Sequence, residues 1–274
     1  MTQAGKTMEV NGVIIYYEVH GCPTEEAKPV LIFVHGYLSS LFSFRFLYPH
    51  LAHSYTIYAL DLPGFGDSEK SKTFHYSLEN YGRLILSFMD QLTISRAVLI
   101  GHSMGGQICL NTARQSPGRI QKVIGLSVAG YMGRVNKKLK LATYLPFSSY
   151  LLRYYMNKND VTQQFSLVVY NRSAITQDMM EAYLKPLKRI DFYHSLKRLA
   201  RHREGDMNAK QLSDIKQPVL LLWGKEDKVV PLKTGERFLQ DLPNAQLQAF
   251  DETGHLLPEE RPQQVSAAIN RFLS

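Results

Sequence analysis

Hydrophobic and polar positions alternate in two rhythms along most of the chain. Short strand-like runs occur at Pro29 to Val34, Tyr55 to Leu60, Ala97 to Ile100, Lys122 to Val128, Pro218 to Trp223 and Gln246 to Phe250. The runs have the composition of strands, and Pro29 to Val34, which is continuously apolar, that of a strand covered on both faces of a parallel sheet. Between them lie stretches whose apolar residues recur at helical spacing. These predict helices over Ser43 to His50, from the Ser77 cap through Leu84, Ile85, Phe88, Met89 and Leu92, over Gln107 to Gln115, over Leu232 to Leu242 and over Pro262 to Leu273. Two strand-like runs near the start, Thr7 to Val10 and Val13 to Val19, flank Asn11-Gly12. That dipeptide is the strongest short hairpin signal, because both residues tolerate positive φ. The pattern predicts an α/β protein with a mostly parallel, eight-stranded sheet flanked by helices and opened by an antiparallel hairpin.

The rhythm breaks near Gly130 and resumes at Gln217. The interval has helical pieces at Leu141 to Met156 (interrupted by Pro146), Val161 to Tyr170, Gln177 to Leu187 and Asp191 to His202. It predicts a helical cap insertion over 130–216, seated above the carboxyl ends of the strands, with residues 1–129 and 217–274 forming the core. Its aromatics include Tyr131, Tyr144, Phe147, Tyr150, Tyr154, Tyr155, Phe165, Phe192 and Tyr193. Most are expected to pack the insertion, and some to face the gap beneath it as an apolar pocket.

Charge singles out the same interval. Gly130 to Leu212 holds 15 basic residues against 6 acidic ones, while the whole chain of 274 residues has a net charge of +8. A solvated helical face accounts for this. A preference for anionic substrates, or peripheral contact with a membrane surface, is the sharper reading. No apolar run reaches the ~18–20 residues of a membrane span. No basic-then-apolar segment opens the chain, so a cytoplasmic protein is expected. Cys22 and Cys109 lie far apart without metal-ligand spacing, and read as small buried residues rather than redox groups.

The candidate chemistry lies in the loops that follow strands. Gly101-His102-Ser103-Met104-Gly105 joins a strand to a helix, the context in which G-x-S-x-G forms a nucleophile elbow. Side chains at 101 and 105 would collide across so tight a turn, and the next amide, at Met104, would point at whatever the Ser103 hydroxyl attacks. Loops after later strands carry Asp227 and His255. In a parallel sheet these loops emerge at one edge, so distant residues can meet there. Glu226 and Asp251 compete with Asp227 for the acid. His20, His35, His50, His53, His75, His102, His194 and His202 compete with His255 for the base. The Asp61/Asp67 pair reads as a loop stabiliser, since no histidine or third carboxylate accompanies it at metal-ligand spacing.

Five motifs in order resemble the α/β-hydrolase superfamily over nearly the whole chain. They are His35-Gly36-Tyr37, the stretch from Asp61 to Ser68, Gly101 to Gly106, the stretch from Gly224 to Pro231, and Gly254-His255. The resemblance implies a cofactor-free hydrolase and assigns Ser103 as nucleophile, His255 as base and Asp227 as the acid that orients it. It makes the Tyr37 and Met104 amides the oxyanion hole, and His35 and His102 structural neighbours. Haloalkane dehalogenases and epoxide hydrolases of this superfamily carry aspartate at the elbow, so Ser103 implies acyl chemistry instead. The expected substrate is a small-molecule carboxylic ester of small or medium acyl chain, handled by an esterase or small lipase, with no nucleic acid involved. Alternatives are a C–C hydrolase of ring-cleavage products, a perhydrolase, an aminopeptidase (disfavoured by the lack of an acidic cluster in the cap), and a small-molecule receptor that does not turn over.

Overall fold

The computed structural model describes residues 5–21, 28–158 and 167–274. Eight strands form one sheet: β1 (Lys6–Val10), β2 (Val13–His20), β3 (Val30–Val34), β4 (Ile57–Leu60), β5 (Ala97–His102), β6 (Ile120–Leu126), β7 (Val219–Gly224) and β8 (Ala245–Phe250), in the spatial order β1-β2-β4-β3-β5-β6-β7-β8. β1 pairs antiparallel with β2, and β2 antiparallel with β4. The pairings from β4 through β8 are parallel. Asn11 and Gly12 turn the opening hairpin, both at positive φ (51° and 76°).

Strand pleating divides the core into two layers. Ile32 and Val34 of β3 point to one face of the sheet, Leu31 and Phe33 to the other. The first face is covered by α2 (Leu78–Gln91), through Leu84, Ile85 and Phe88, and by α3 (Met104–Gln115), through Ile108. The Ser77 side chain accepts from the Asn80 N–H and so caps α2. The second face is covered by Leu51 of the short helix α1 (Tyr48–Leu51) and by Val265 and Ile269 of the C-terminal helix (Pro262–Leu273).

The helix expected over Ser43 to His50 is instead a 3-10 turn (Leu41–Phe44) followed by α1. Pro49 lies in the first turn of the second piece, where its missing N–H costs no bond within the helix. Between β6 and β7 the described residues hold α4 (Lys137–Ala142), α5 (Ser148–Lys158), α6 (Gln177–Leu184), α7 (Ile190–His202) and α8 (Ala209–Ser213), and no strand. Pro146 separates α4 from α5, and Pro186 lies in the 3-10 turn that ends α6. The piece expected over Val161 to Tyr170 lies mostly outside the described residues, as do Phe165 and Cys22. Cys109 is buried. After β7 come α9 (Leu232–Asp241), then β8, α10 (Leu257–Glu260) and α11, the C-terminal helix already described.

The expectation that most aromatics of this interval pack inward needs correction. Phe192 and Tyr193 of α7 are buried, but Tyr144, Phe147, Tyr150, Tyr154 and Tyr155 are exposed. Among the described residues no helix is long and apolar enough to cross a membrane.

The strand order fixes where a site can form. The chain leaves β3 for β4 on one side, then returns to β5 on the other. The loops after β3 and β5 therefore diverge and leave a crevice at the carboxyl ends of the strands.

Candidate active site

Ser103 sits in that crevice, between the last residue of β5 and the first of α3, with φ of 52°. A serine is costly in this left-handed region, and the surroundings over-determine it. Its N–H donates to the Leu126 carbonyl at 2.9 Å, and its carbonyl accepts from Gly106 and Ala129. A Cβ at position 101 would lie 2.4 Å from the Gly105 carbonyl oxygen. One at 105 would lie 2.1 Å from the Val34 carbonyl oxygen, so that glycine lets α3 approach β3 rather than clearing the turn itself.

Asp227 lies in the turn after β7 and is buried. Its Oδ1 accepts from the Val229 and Val230 amides, both at 2.8 Å, which leaves Oδ2 aimed at His255 Nδ1, 2.7 Å away. Burial alone would push this carboxyl up. The hydrogen bond from His255 and its electrostatic attraction, with the Val230 amide, outweigh it and hold the carboxyl below its ordinary range. Of the three carboxylates weighed for the acid, Asp227 is the one bonded to His255. Glu226 accepts from the Thr253 N–H, and Asp251 pairs with Lys225 at the surface.

With Nδ1–H donated to a carboxylate, neutral His255 presents a lone pair at Nε2. His102 supports it from the other side. Its ring lies 4.7 Å from that of His255, and its Nε2–H donates to the His255 carbonyl at 2.9 Å. Burial, and next the neighbouring His255, pull His102 down to about 3. His35 donates through Nδ1 to the Gly36 carbonyl at 2.8 Å and accepts the Leu62 N–H at Nε2. Burial pulls it down to about 4, so both histidines are neutral framework groups near pH 7.

Asp61 braces the loop after β4, accepting the Leu41 N–H at 2.8 Å and the Asp67 N–H at 2.7 Å. Asp67 itself meets Lys185 at the surface. No group of histidine, cysteine, aspartate or glutamate among the described residues is arranged to hold a metal ion.

Ser103 and His255 line one cavity of about 250 Å³, together with Tyr37. The strand loops supply Leu38, Val229 and Leu256, while the segment between β6 and β7 supplies Met156, Val168, Tyr183, Leu184, Leu187 and Phe192. Among the described lining residues there is no lysine, arginine, aspartate or glutamate. Met104 begins α3, so its amide is one of the unpaired donors at a helix N-terminus.

Three features of the site carry no sequence signal of their own. Tyr183 lines the cavity, and its hydroxyl donates to Glu259 Oε1 at 2.7 Å. The Val168 carbonyl accepts from both the His255 and Leu256 amides, at 2.8 and 3.1 Å. Glu260 bridges the Gly254 amide on Oε1 and the Tyr170 amide on Oε2. The last two act on backbone amides, which no side-chain pattern reveals.

Known proteins resemble this chain in sequence and in fold. An uncharacterized hydrolase, YugF, of Bacillus subtilis is 41% identical over 96% of both chains. A 2-hydroxy-6-oxononadienedioate/2-hydroxy-6-oxononatrienedioate hydrolase of Cupriavidus pinatubonensis is 28% identical, over 82% of this chain and 78% of its own length. A crystallised meta-cleavage product hydrolase from Pseudomonas fluorescens superposes with a TM-score of 0.77 at 23% identity, covering 98% of this chain and 97% of its own. The α/β hydrolase fold family matches residues 29–262, and with a 41%-identical hydrolase spanning nearly its whole length this chain belongs to that family.

Proposed function

We propose that the protein is a serine hydrolase that cleaves carboxylic esters of small or medium acyl chain through an acyl-enzyme. The observation that carries this reading is the 2.7 Å Asp227–His255 pair opening onto the same apolar cavity as Ser103. Serine is a weak nucleophile at its free pKa and needs an adjacent base. The Nε2 lone pair of His255 takes the Ser103 proton as Oγ attacks the acyl carbon, then returns it to the leaving alcohol. Asp227 holds the imidazole tautomer and stabilises the imidazolium. The Tyr37 and Met104 amides receive the oxyanion, each such donor contributing roughly 3–4 kcal/mol to lowering the barrier. Water then repeats the sequence on the acyl-enzyme.

The segment 130–216 acts in this reading as a cap, closing an acyl pocket with Tyr183, Leu184, Leu187 and Phe192. The cavity is below the roughly 300–1,000 Å³ common for ligand sites, which favours short or medium chains. The C–C hydrolase reading draws on the relatives named above. A dioate substrate brings two carboxylates, however, and the described lining has no cation to receive them. The uncharged pocket favours the neutral ester.

The test is turnover of p-nitrophenyl esters of graded acyl length beside a ring-cleavage dienoate, with Ser103→Ala as blank. Multiple turnover of short and medium esters and fluorophosphonate labelling, both lost in Ser103→Ala, are expected. Labelling that persists in Ser103→Ala removes the nucleophile assignment. Turnover confined to the dienoate moves the activity to C–C cleavage. Saturable binding without product makes the protein a receptor.

A further inference from the structure

Helices α4 and α5 carry an apolar surface that the fold does not use. Leu152 and Met156 of α5 pack inward against the main core. On its outer side Tyr150, Leu151 and Tyr154 are 57%, 69% and 65% exposed. Leu141 and Leu145 are equally bare, Phe147 is 78% exposed, and Tyr144 beside them is exposed with the Arg201 guanidinium 3.9 Å from its ring centre. A surface helix normally turns its apolar side chains to the core and polar ones to solvent, whereas α5 carries large apolar side chains on both sides. A run of large bare apolar side chains marks a contact with something outside the chain. Phe147 also holds φ at 58°, a conformation unfavourable for a bulky side chain, so the backbone is strained at the residue that protrudes most.

Charge indicates what covers this face. From Arg134 to Asn157 the chain has Arg134, Lys137, Lys138, Lys140 and Arg153 and no aspartate or glutamate. The three lysines are exposed beside the apolar side chains. A second copy docking through the same face would set these cations against their equivalents, which disfavours self-association. The protruding side chains form no groove for a rigid ligand, but suit a deformable lipid layer. Tyrosine rings sit well at headgroup level, and lysine stems reach past them to the phosphates.

We propose that this face docks the protein peripherally on an anionic phospholipid surface. Leu141, Leu145, Phe147 and Leu151 enter the boundary between headgroups and acyl chains, and Lys137, Lys138 and Lys140 meet the lipid phosphates. Docking involves neither Ser103 nor His255, so it stands or falls separately from the proposed chemistry. α5 also supplies Met156 to the cavity wall, so the docked orientation turns that wall toward the lipid.

The 274-residue chain is pelleted with sucrose-loaded vesicles of phosphatidylcholine alone or mixed with phosphatidylglycerol. Binding to the mixed vesicles only is expected. Replacing three surface charges in Lys137→Gln/Lys138→Gln/Lys140→Gln lowers partitioning by about a hundredfold. Leu141→Asp/Phe147→Asp lowers it by at least about tenfold. All substituted side chains are solvent-exposed, so an unchanged melting temperature is expected for both variants. Absence of binding, equal binding to neutral and anionic vesicles, or anionic binding that survives both variants overturns the proposal. So does a dimer in solution that these substitutions dissolve.

Discussion

The backbone N–H of His255 donates to the carbonyl oxygen of Val168 at 2.8 Å. The donor lies on a sheet loop and the acceptor on the segment between β6 and β7, so the imidazole's loop is held from outside the sheet. Glu260 ties the same two pieces together, with Gly254 on one carboxylate oxygen and Tyr170 on the other.

Glu260→Gln tests that clamp. Glutamine offers one acceptor oxygen where glutamate offers two, so either the Gly254 or the Tyr170 amide loses its partner. A buried donor left unpaired costs about 1–3 kcal/mol. The aim of the imidazole is disturbed rather than the shape of the cavity. A fall of roughly tenfold in kcat with KM nearly constant is therefore expected. Steady-state kinetics on a short ester checks it, and a change confined to KM would place the clamp in binding instead.

Asp227→Asn tests the orienting acid. An amide in this place can offer its NH₂ to Nδ1, which turns the ring to the tautomer with its proton on Nε2 and leaves no base facing Ser103. A loss of about 10⁴ in kcat is expected, the size that a wrong tautomer produces in a serine triad. Stability responds to pH through the same group. The folded carboxyl is held below its unfolded value, so its contribution is present above about pH 4 and lost as pH falls through the folded value. Asp227→Asn lacks this part of the acid transition, measured as the urea midpoint between pH 5 and 3.

Much of this candidate site is legible in the sequence, because its parts are local. Gly101 to Gly105 encodes a turn that few sequences can make, and each continuous apolar run announces a buried strand. What escaped the sequence has physical reasons. The elbow helix starts at Met104, not Gln107, because Gly105 and Gly106 depress helix propensity in its first turn while being required by close packing. Helices α8 and α10 are only five and four residues long, too short for a periodic pattern to emerge. The outward-facing tyrosines of α5 look in sequence like core residues, since composition does not say which face a neighbour covers. The separation into core and cap stays a proposal that rests on the cavity's lining.

The buried histidines set a pH limit on the fold. His102 and His35 sit near 3 and 4, whereas a free imidazole titrates near 6.5. Depressed folded values mean stability that is complete above pH 6.5 and lost as pH falls toward 4 and then 3. Asp61 works the other way. Burial raises it to about 6, so the cost of keeping it ionised is present above pH 6 and relieved below. Two imidazoles outweigh one carboxyl, and at ~1.4 kcal/mol per proton per pH unit the net loss between pH 7 and 5 is on the order of 2 kcal/mol. Urea unfolding at the two pH values checks this. His102→Gln should remove most of the net loss, and an undiminished pH slope in that variant would assign the effect to other groups.

The glycines of the elbow yield the sharpest contrast. Gly101→Ala puts a methyl group 2.4 Å from where the Gly105 carbonyl oxygen now lies, and Gly105→Ala puts one 2.1 Å from the Val34 carbonyl oxygen. Both obstacles are backbone, which cannot rotate aside as a side-chain tip can. Either β5 parts from α3 or α3 lifts off β3, and both movements displace Ser103. A stability loss above about 3 kcal/mol is expected for each. Gly118 is the control: a Cβ there meets nothing within 4 Å, so Gly118→Ala should leave stability within about 0.5 kcal/mol. Thermal melts of the three variants, read beside fluorophosphonate labelling, decide the matter. If Gly101→Ala melted and labelled like Gly118→Ala, the turn would have a freedom that these distances deny it, and Ser103 would not owe its position to the two glycines.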